Sequence, residues 1–165
     1  MKIKLFLTGG TIDKGYNELT GELTYTKTRI QEMLSQARAR VDLDIEELML
    51  LDSLDMTEGE RQKILEACTS TAEDKILITH GTDTIVKTAQ LLGKNIQDKT
   101  IVLFGSMIPF AFGGSDALFN FGAAVAAVQT LGGGVHISMN GKVFRWDDVI
   151  KNRELGEFQS LSGER

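Results

Sequence analysis

With 165 residues, of which 42% are hydrophobic and 25% charged, the chain has an ordinary globular composition and is long enough to bury roughly 70% of the surface its unfolded form exposes, so disorder is not indicated. A net charge of -5 at pH 7 argues against a nucleic-acid or anionic-membrane footprint, which needs clustered Lys and Arg; Arg38 and Arg40 are followed at once by acidic residues. The lone Cys68 excludes an intrachain disulfide and a cysteine-based metal cage, and it reads as a small buried hydrophobe.

The opening MKIKLFLTGG has a basic start and a short apolar run but lacks the length and cleavage pattern of a secretory signal, which points to a cytoplasmic protein. KIKLFL at 2–7 is the first predicted strand, and the loop of residues 13–27 follows it. A helix is predicted over 28–40, with Ile30, Met33, Leu34 and Ala37 on one face. Strand 42–50 comes next, then helix 57–70, which opens with Thr57 three residues before Glu60 in capping-box spacing. Strand 75–79, helix 83–92, strand 100–105, an alanine-rich helix at 115–131 and strand 134–139 complete the pattern. After Lys142 the periodicity weakens, and GEFQSLSGER reads as an irregular tail. No apolar run approaches the length of a membrane span.

Strand and helix alternating in this way predict an α/β fold, a mainly parallel sheet with helices on both faces, because each parallel pair needs a crossover connection. Residues 1–165 read as one domain, with no linker or repeat to divide them and no room for a second. In such a sheet a ligand is expected beyond the carboxyl ends of the strands. Three loops there combine glycine with hydroxyls: TGGTI after the first strand, THGTDT at 79–84, and FGSMIP at 104–109. Taken singly, each is adequately explained by a tight turn and a helix cap. Taken together, they bring amide hydrogens and side-chain hydroxyls to one edge of the sheet.

Other glycine motifs are excluded: the chain has no GxxxxGK[ST], no GxGxxG after the first strand and no GxSxG. Its two histidines, His80 and His136, have no metal-ligand spacing, and His80 reads as structural. No cofactor is expected.

TGGTI at 8–12 followed by THGTDT at 79–84 resembles the two signature motifs of the bacterial-type L-asparaginases. DSLDM at 52–56, GSMIP at 105–109, GGSDALFNF at 113–121 and DDVIKN at 147–152 resemble further blocks of that family. The resemblance covers nearly the whole chain and corresponds to the N-terminal domain of larger members, whose second domain would be absent. It implies hydrolysis of L-asparagine to L-aspartate and ammonia through a threonine acyl-enzyme. Thr11 would be the nucleophile, and Thr82, Asp83 and Lys151 would support proton transfer. Asp83 would also hold the α-ammonium group and Ser53 the α-carboxylate, with backbone amides near Gly10, Thr11 and Thr82 facing the oxyanion. A tyrosine on the loop after the first motif would assist the nucleophile, with Tyr16 favoured slightly over Tyr25. Leu54, Ser106 and Ile108 depart from the residues usual at their positions in larger members.

The implied partners are a small-molecule substrate, L-asparagine and more weakly L-glutamine, and a second copy in a homodimer, with neither nucleic acid nor membrane. A non-catalytic amino-acid-binding domain and an amidase component supplying ammonia to a partner are the other classes. The set Thr11, Thr82, Asp83 and Lys151 favours the enzyme, because binding alone does not require two threonines and a lysine.

Overall fold

A computed structural model describes residues 1–163. In chain order the strands are β1 (Lys2–Gly9), β2 (Lys14–Asn17), β3 (Glu22–Tyr25), β4 (Asp42–Leu51), β5 (Lys75–Thr79), β6 (Thr100–Phe104), β7 (Gly134–Met139), β8 (Lys142–Arg145), β9 (Ile150–Asn152) and β10 (Glu157–Gln159). The helices are α1 (Ile30–Gln36), α2 (Glu58–Ser70), α3 (Ile85–Asn95) and α4 (Ala117–Thr130), and a short 3-10 turn spans Thr11–Asp13. None of the helices is long and apolar enough to cross a membrane.

The main sheet is six-stranded in the order β4-β1-β5-β6-β7-β8. Its pairings are parallel except β7 with β8. β1, β5 and β6 are covered on both faces, which is why their sequences run almost continuously apolar rather than alternating with polar residues. Along β5 the pleat sends Ile76 and Ile78 to one face and Leu77 to the other. On the first face, α2 and α3 pack Ile64, Cys68, Ala89 and Leu92 against Ile76, Ile101 and Val135. On the second, α1 and α4 pack Ile30, Met33, Phe121 and Val128 against Leu5, Leu77 and Phe104. The α/β architecture with helices on both faces is the one the sequence pattern predicts.

β4 lies at the sheet edge, where two of its acidic residues are paired: Lys4 Nζ is 2.7 Å from Glu46 and 3.4 Å from Asp44. Charges along an exposed edge discourage pairing with another strand. The predicted capping box opens α2, with the Thr57 N–H donating to the Glu60 carboxylate at 2.9 Å.

Three expectations change. The helix predicted over 28–40 is shorter, ending at Gln36, and Arg38 adopts φ 51° just beyond it. Residues 13–27 contain the antiparallel hairpin β2–β3, in which Lys14 pairs with Tyr25 and Tyr16 with Leu23. After Lys142, β8 extends the main sheet and β9–β10 form a second hairpin, so the expected irregular tail from 156 contains a strand, while residues 164 and 165 of it lie outside the described residues. Strands of three or four residues are too short to display a period. One buried ring anchors this region instead, since Phe158 is 5% exposed and lies 6.5 Å from Phe144, centroid to centroid.

Candidate active site

The carboxyl ends of β1 and β5 meet through their backbones. Thr8, at the end of β1, spends its hydroxyl on the Thr79 carbonyl at 2.6 Å, and its N–H donates to Thr79 Oγ1 at 3.1 Å. Thr8 is therefore part of the strand junction. Gly10 follows with φ 89°, a left-handed conformation that favours glycine. A Cβ at Gly10 would lie 2.5 Å from the Gly81 nitrogen, so the two loops touch only because side chains are missing. Thr11 and Thr82 are the next residues along each loop. Gly10 N–H also donates to the Leu51 carbonyl at 3.1 Å, tying the first loop to the end of β4.

Ser53 lies under this junction, 1% exposed, and its hydroxyl has no hydrogen-bond partner among the described residues. A Cβ on Gly81 would sit 2.6 Å from Ser53 Oγ. The Ser53 carbonyl accepts from Thr84 Oγ1 at 2.8 Å, and Arg61 donates to Thr84 Oγ1 at 3.1 Å. Arg61 is buried and also donates to the Met56 carbonyl at 2.9 Å. This cation is used to hold the Ser53 turn against α3.

His80 has the structural part its sequence context suggests. It is completely buried; its Nδ1 lies 2.8 Å from the Gly81 carbonyl, and its Nε2 lies 2.8 Å from Thr88 Oγ1. A carbonyl only accepts, so Nδ1 carries the proton and Nε2 accepts from the Thr88 hydroxyl. Burial pushes the imidazole pKa down to about 4. The neutral ring fastens the second signature loop to α3.

Lys151 enters from outside the main sheet, on β9. Its Nζ donates to Thr82 Oγ1 at 2.8 Å and to Asp83 Oδ1 at 2.9 Å. The Lys151 side chain is 10% exposed and that of Asp83 37%, so the pair lies at the rim with the cation inside. The hairpin bearing Lys151 is closed by Asp148, whose carboxylate accepts from Ser160 Oγ at 2.7 Å and from Ser162 N–H and Oγ, each at 2.8 Å. The Ser160 hydroxyl and then the two Ser162 donors lower the Asp148 pKa to about 2.

Thr11, Thr82, Asp83, Lys151, Gly10 and Ser53 are thus gathered at one edge, while Tyr16 is not. Tyr16, slightly favoured over Tyr25 by the resemblance, is 61% exposed. Tyr25 is partly buried, and its hydroxyl is buried without a hydrogen-bond partner among the described residues. Burial first, and the Asp52 charge second, push its pKa to about 12, against a smaller opposing effect of the Gly10 backbone. Lys14 pairs with Tyr25 and Tyr16 with Leu23, so the two tyrosines share a face of the hairpin and differ in position along it, Tyr25 at its base and Tyr16 two residues nearer the turn.

Several supporting residues escaped the sequence reading. Asp116 accepts from the Met107 and Ile108 N–H groups at 3.0 Å, and buried Asn120 donates to the Gly105 carbonyl at 3.0 Å. Together they shape the loop after β6. Their signal was the i, i+4 polar pair in the otherwise apolar α4. Asp13 is 2% exposed, neither carboxylate oxygen has a hydrogen-bond partner among the described residues, and burial pushes its pKa up to about 6; nothing in the sequence marks it. No group of three or more His, Cys, Asp or Glu among the described residues could hold a metal ion.

Comparison with known proteins gives one consistent result. Residues 2–162 match the family model described as "Asparaginase, N-terminal". The chain is 30% identical to L-asparaginase 2 of Escherichia coli over 174 aligned positions, covering 97% of this chain and 49% of that protein. Among solved structures, the thermostable L-asparaginase of Thermococcus kodakarensis superposes with a TM-score of 0.87 at 28% identity, covering 99% of this chain and 52% of that one. A probable cytoplasmic L-asparaginase of Campylobacter jejuni gives a TM-score of 0.79 at 31% identity, covering 96% and 52%. The chain therefore spans about half the length of the relatives it matches.

Proposed function

Because this chain belongs to the asparaginase family, we propose that it hydrolyses L-asparagine to L-aspartate and ammonia through an acyl-enzyme on Thr11. The observation that carries the reading is the position of Lys151 Nζ, bonded at once to Thr82 Oγ1 at 2.8 Å and Asp83 Oδ1 at 2.9 Å. A lysine with no task at this edge would extend into solvent. Here it crosses from a separate hairpin to orient a second hydroxyl beside the Gly10–Gly81 contact, one residue from Thr11.

A neutral threonine hydroxyl is a weak nucleophile and needs a base or a proton acceptor in reach. In this proposal Thr11 Oγ1 attacks the side-chain amide carbon and its proton leaves through the Thr82–Lys151 pair, with Tyr25 orienting the hydroxyl. The tetrahedral oxyanion is held by amide hydrogens of the Gly10 and Thr82 loops; one such donor is commonly worth about 3 kcal/mol. Collapse transfers a proton to the amide nitrogen and expels ammonia. Water then attacks the Thr11 ester and releases aspartate. The unpartnered Ser53 hydroxyl is a donor for the α-carboxylate, and Asp83 is the counter-charge for the α-ammonium group. Assembly as a homodimer and residence in the cytoplasm belong to the same proposal.

The test is ammonia release from asparagine and glutamine, combined with calorimetric titration of asparagine. Thr11→Ala is expected to lose at least roughly 1000-fold in turnover while still binding asparagine. Binding by the unaltered protein without ammonia release would replace the hydrolase with an amino-acid-binding domain. Full turnover in Thr11→Ala would reject the nucleophile.

A further inference from the structure

Lys14 lies outside the signature motifs and makes none of the substrate contacts assigned above, yet it touches both flanks of the site. Its Nζ is 2.5 Å from Asp52 Oδ2 and 5.6 Å from the centre of the Tyr25 ring. Lys14 and Tyr25 are directly paired residues of the β2–β3 hairpin. Asp52 immediately precedes Ser53, and its second oxygen accepts from the Leu54 N–H at 3.0 Å while its carbonyl accepts from the Asp55 N–H at 3.0 Å. One carboxylate thus closes the Ser53 turn and receives the hairpin's cation. Lys14 is also the first cause of the lowered Asp52 pKa, ahead of the Leu54 N–H.

We propose that Lys14 is a positioning residue, coupling the hairpin that carries Tyr25 to the turn that carries Ser53 so that both reach the substrate together. The inference rests on the asparaginase reading for its kinetic consequences only. The hairpin needs such a device because it shares no strand pairing with the main sheet. At its base it is fastened by Asp13, whose carbonyl accepts from the Thr26 N–H at 3.2 Å and from Thr26 Oγ1 at 3.3 Å. Those bonds tie the hairpin to its own base and not to the Ser53 turn. The Lys14–Asp52 ion pair joins the two. With the Lys14 side chain 19% and the Asp52 side chain 33% exposed, the pair is too accessible to add much to global stability. Its effect is local, on the two segments it joins.

The decisive experiment combines a double-mutant cycle with hydrogen exchange. Lys14→Ala is expected to lower kcat/KM for asparagine roughly 10- to 100-fold, the scale of a small misplacement of reacting groups, and Lys14→Arg to recover most of it. In a Tyr25→Phe background the same Lys14→Ala change should cost no more than about 3-fold, because residues acting through one another are not additive. Amides of residues 14–17, 22–25 and 52–55 should exchange faster in Lys14→Ala, with the rest of the sheet unchanged. The coupling is overturned if the Lys14 and Tyr25 effects multiply independently, or if exchange rises on only one flank or on neither. Should the unaltered protein release no ammonia, the asparaginase reading fails, and the exchange measurement alone decides the coupling.

Discussion

The loops after β1 and β5 touch backbone to backbone, whereas Tyr25 and Lys151 arrive on two hairpins that pair with no strand of the main sheet. The first arrangement is fixed by what is missing: a Cβ at Gly10 would fall 2.5 Å from the Gly81 nitrogen, and one at Gly81 would fall 2.6 Å from Ser53 Oγ. The second is fixed by what is added, namely ion pairs and hydroxyl bonds such as Lys14 to Asp52 and Asp148 to Ser160. Backbone contact gives position without adjustability. Side-chain contact lets an element be removed from the site without unfolding the sheet beneath it. If that division is correct, substitutions in the two regions damage different properties.

The largest effect is expected from Gly10→Ala. The new Cβ meets the Gly81 nitrogen at 2.5 Å and Gly81 Cα at 2.7 Å, at a residue with φ 89°. Neither neighbour is a flexible side chain that could move aside. Strain and clash together put the loss near 4 kcal/mol or more, to be measured as the shift in urea midpoint. A loss below about 1 kcal/mol would show that the two loops separate cheaply, and the contrast with the hairpins would collapse.

Lys151→Ala should do the reverse. Removing the group that orients Thr82 is expected to reduce asparagine turnover about 1000-fold, while the melting temperature moves by no more than about 3 °C because the lost pair is at the rim. A large fall in melting temperature would place Lys151 in the structural core of the region instead. Equal turnover would remove it from the chemistry.

The same division explains what the sequence reveals. The five strands predicted at 2–7, 42–50, 75–79, 100–105 and 134–139 reappear as β1, β4, β5, β6 and β7, because burial leaves a period or an apolar run in the sequence. The signature loops are legible because backbone contact demands glycine at defined places. The hairpins leave no such trace. β9 and β10 hold three residues each, and their positions depend on Phe158 and on Asp148 reaching 12 and 14 residues along the chain to Ser160 and Ser162. Tyr16 and Tyr25 could not be separated for the same reason. Which ring is buried depends on how the base of the hairpin packs and on the Lys14 contact with Asp52, both set in three dimensions. Lys151 was found only through the resemblance of DDVIKN, since a lysine beside Asn152 and Arg153 otherwise reads as a solvated charge.

Two buried ionisable groups extend the comparison to pH. His80, in the backbone-packed region, has a partner on each nitrogen, whereas Asp13, at the base of the Tyr25 hairpin, has none on either oxygen among the described residues. Both are shifted toward the neutral form by burial first; in Asp13 the Thr28 side chain opposes the shift and the Glu47 charge adds to it, and in His80 the Gly81 carbonyl opposes it and the Arg61 charge adds to it. The signs are opposite for stability. The Asp13 pKa rises from 3.8 to about 6, so the native state binds the extra proton and stability falls as pH rises through that window. The His80 pKa falls from 6.5 to about 4, so the unfolded state binds the extra proton and stability increases with pH between those values. The two slopes oppose each other between about pH 4 and pH 6. Asp13→Asn removes one of them. The stability difference between Asp13→Asn and the unaltered protein should therefore grow by about 2 kcal/mol from pH 4 to pH 6 and level off above about pH 7, read from urea unfolding at each pH. A constant offset from the new amide cancels in that difference. A flat difference curve would mean that Asp13 finds a partner or water when ionised, and that the base of the Tyr25 hairpin is as well satisfied as the His80 loop.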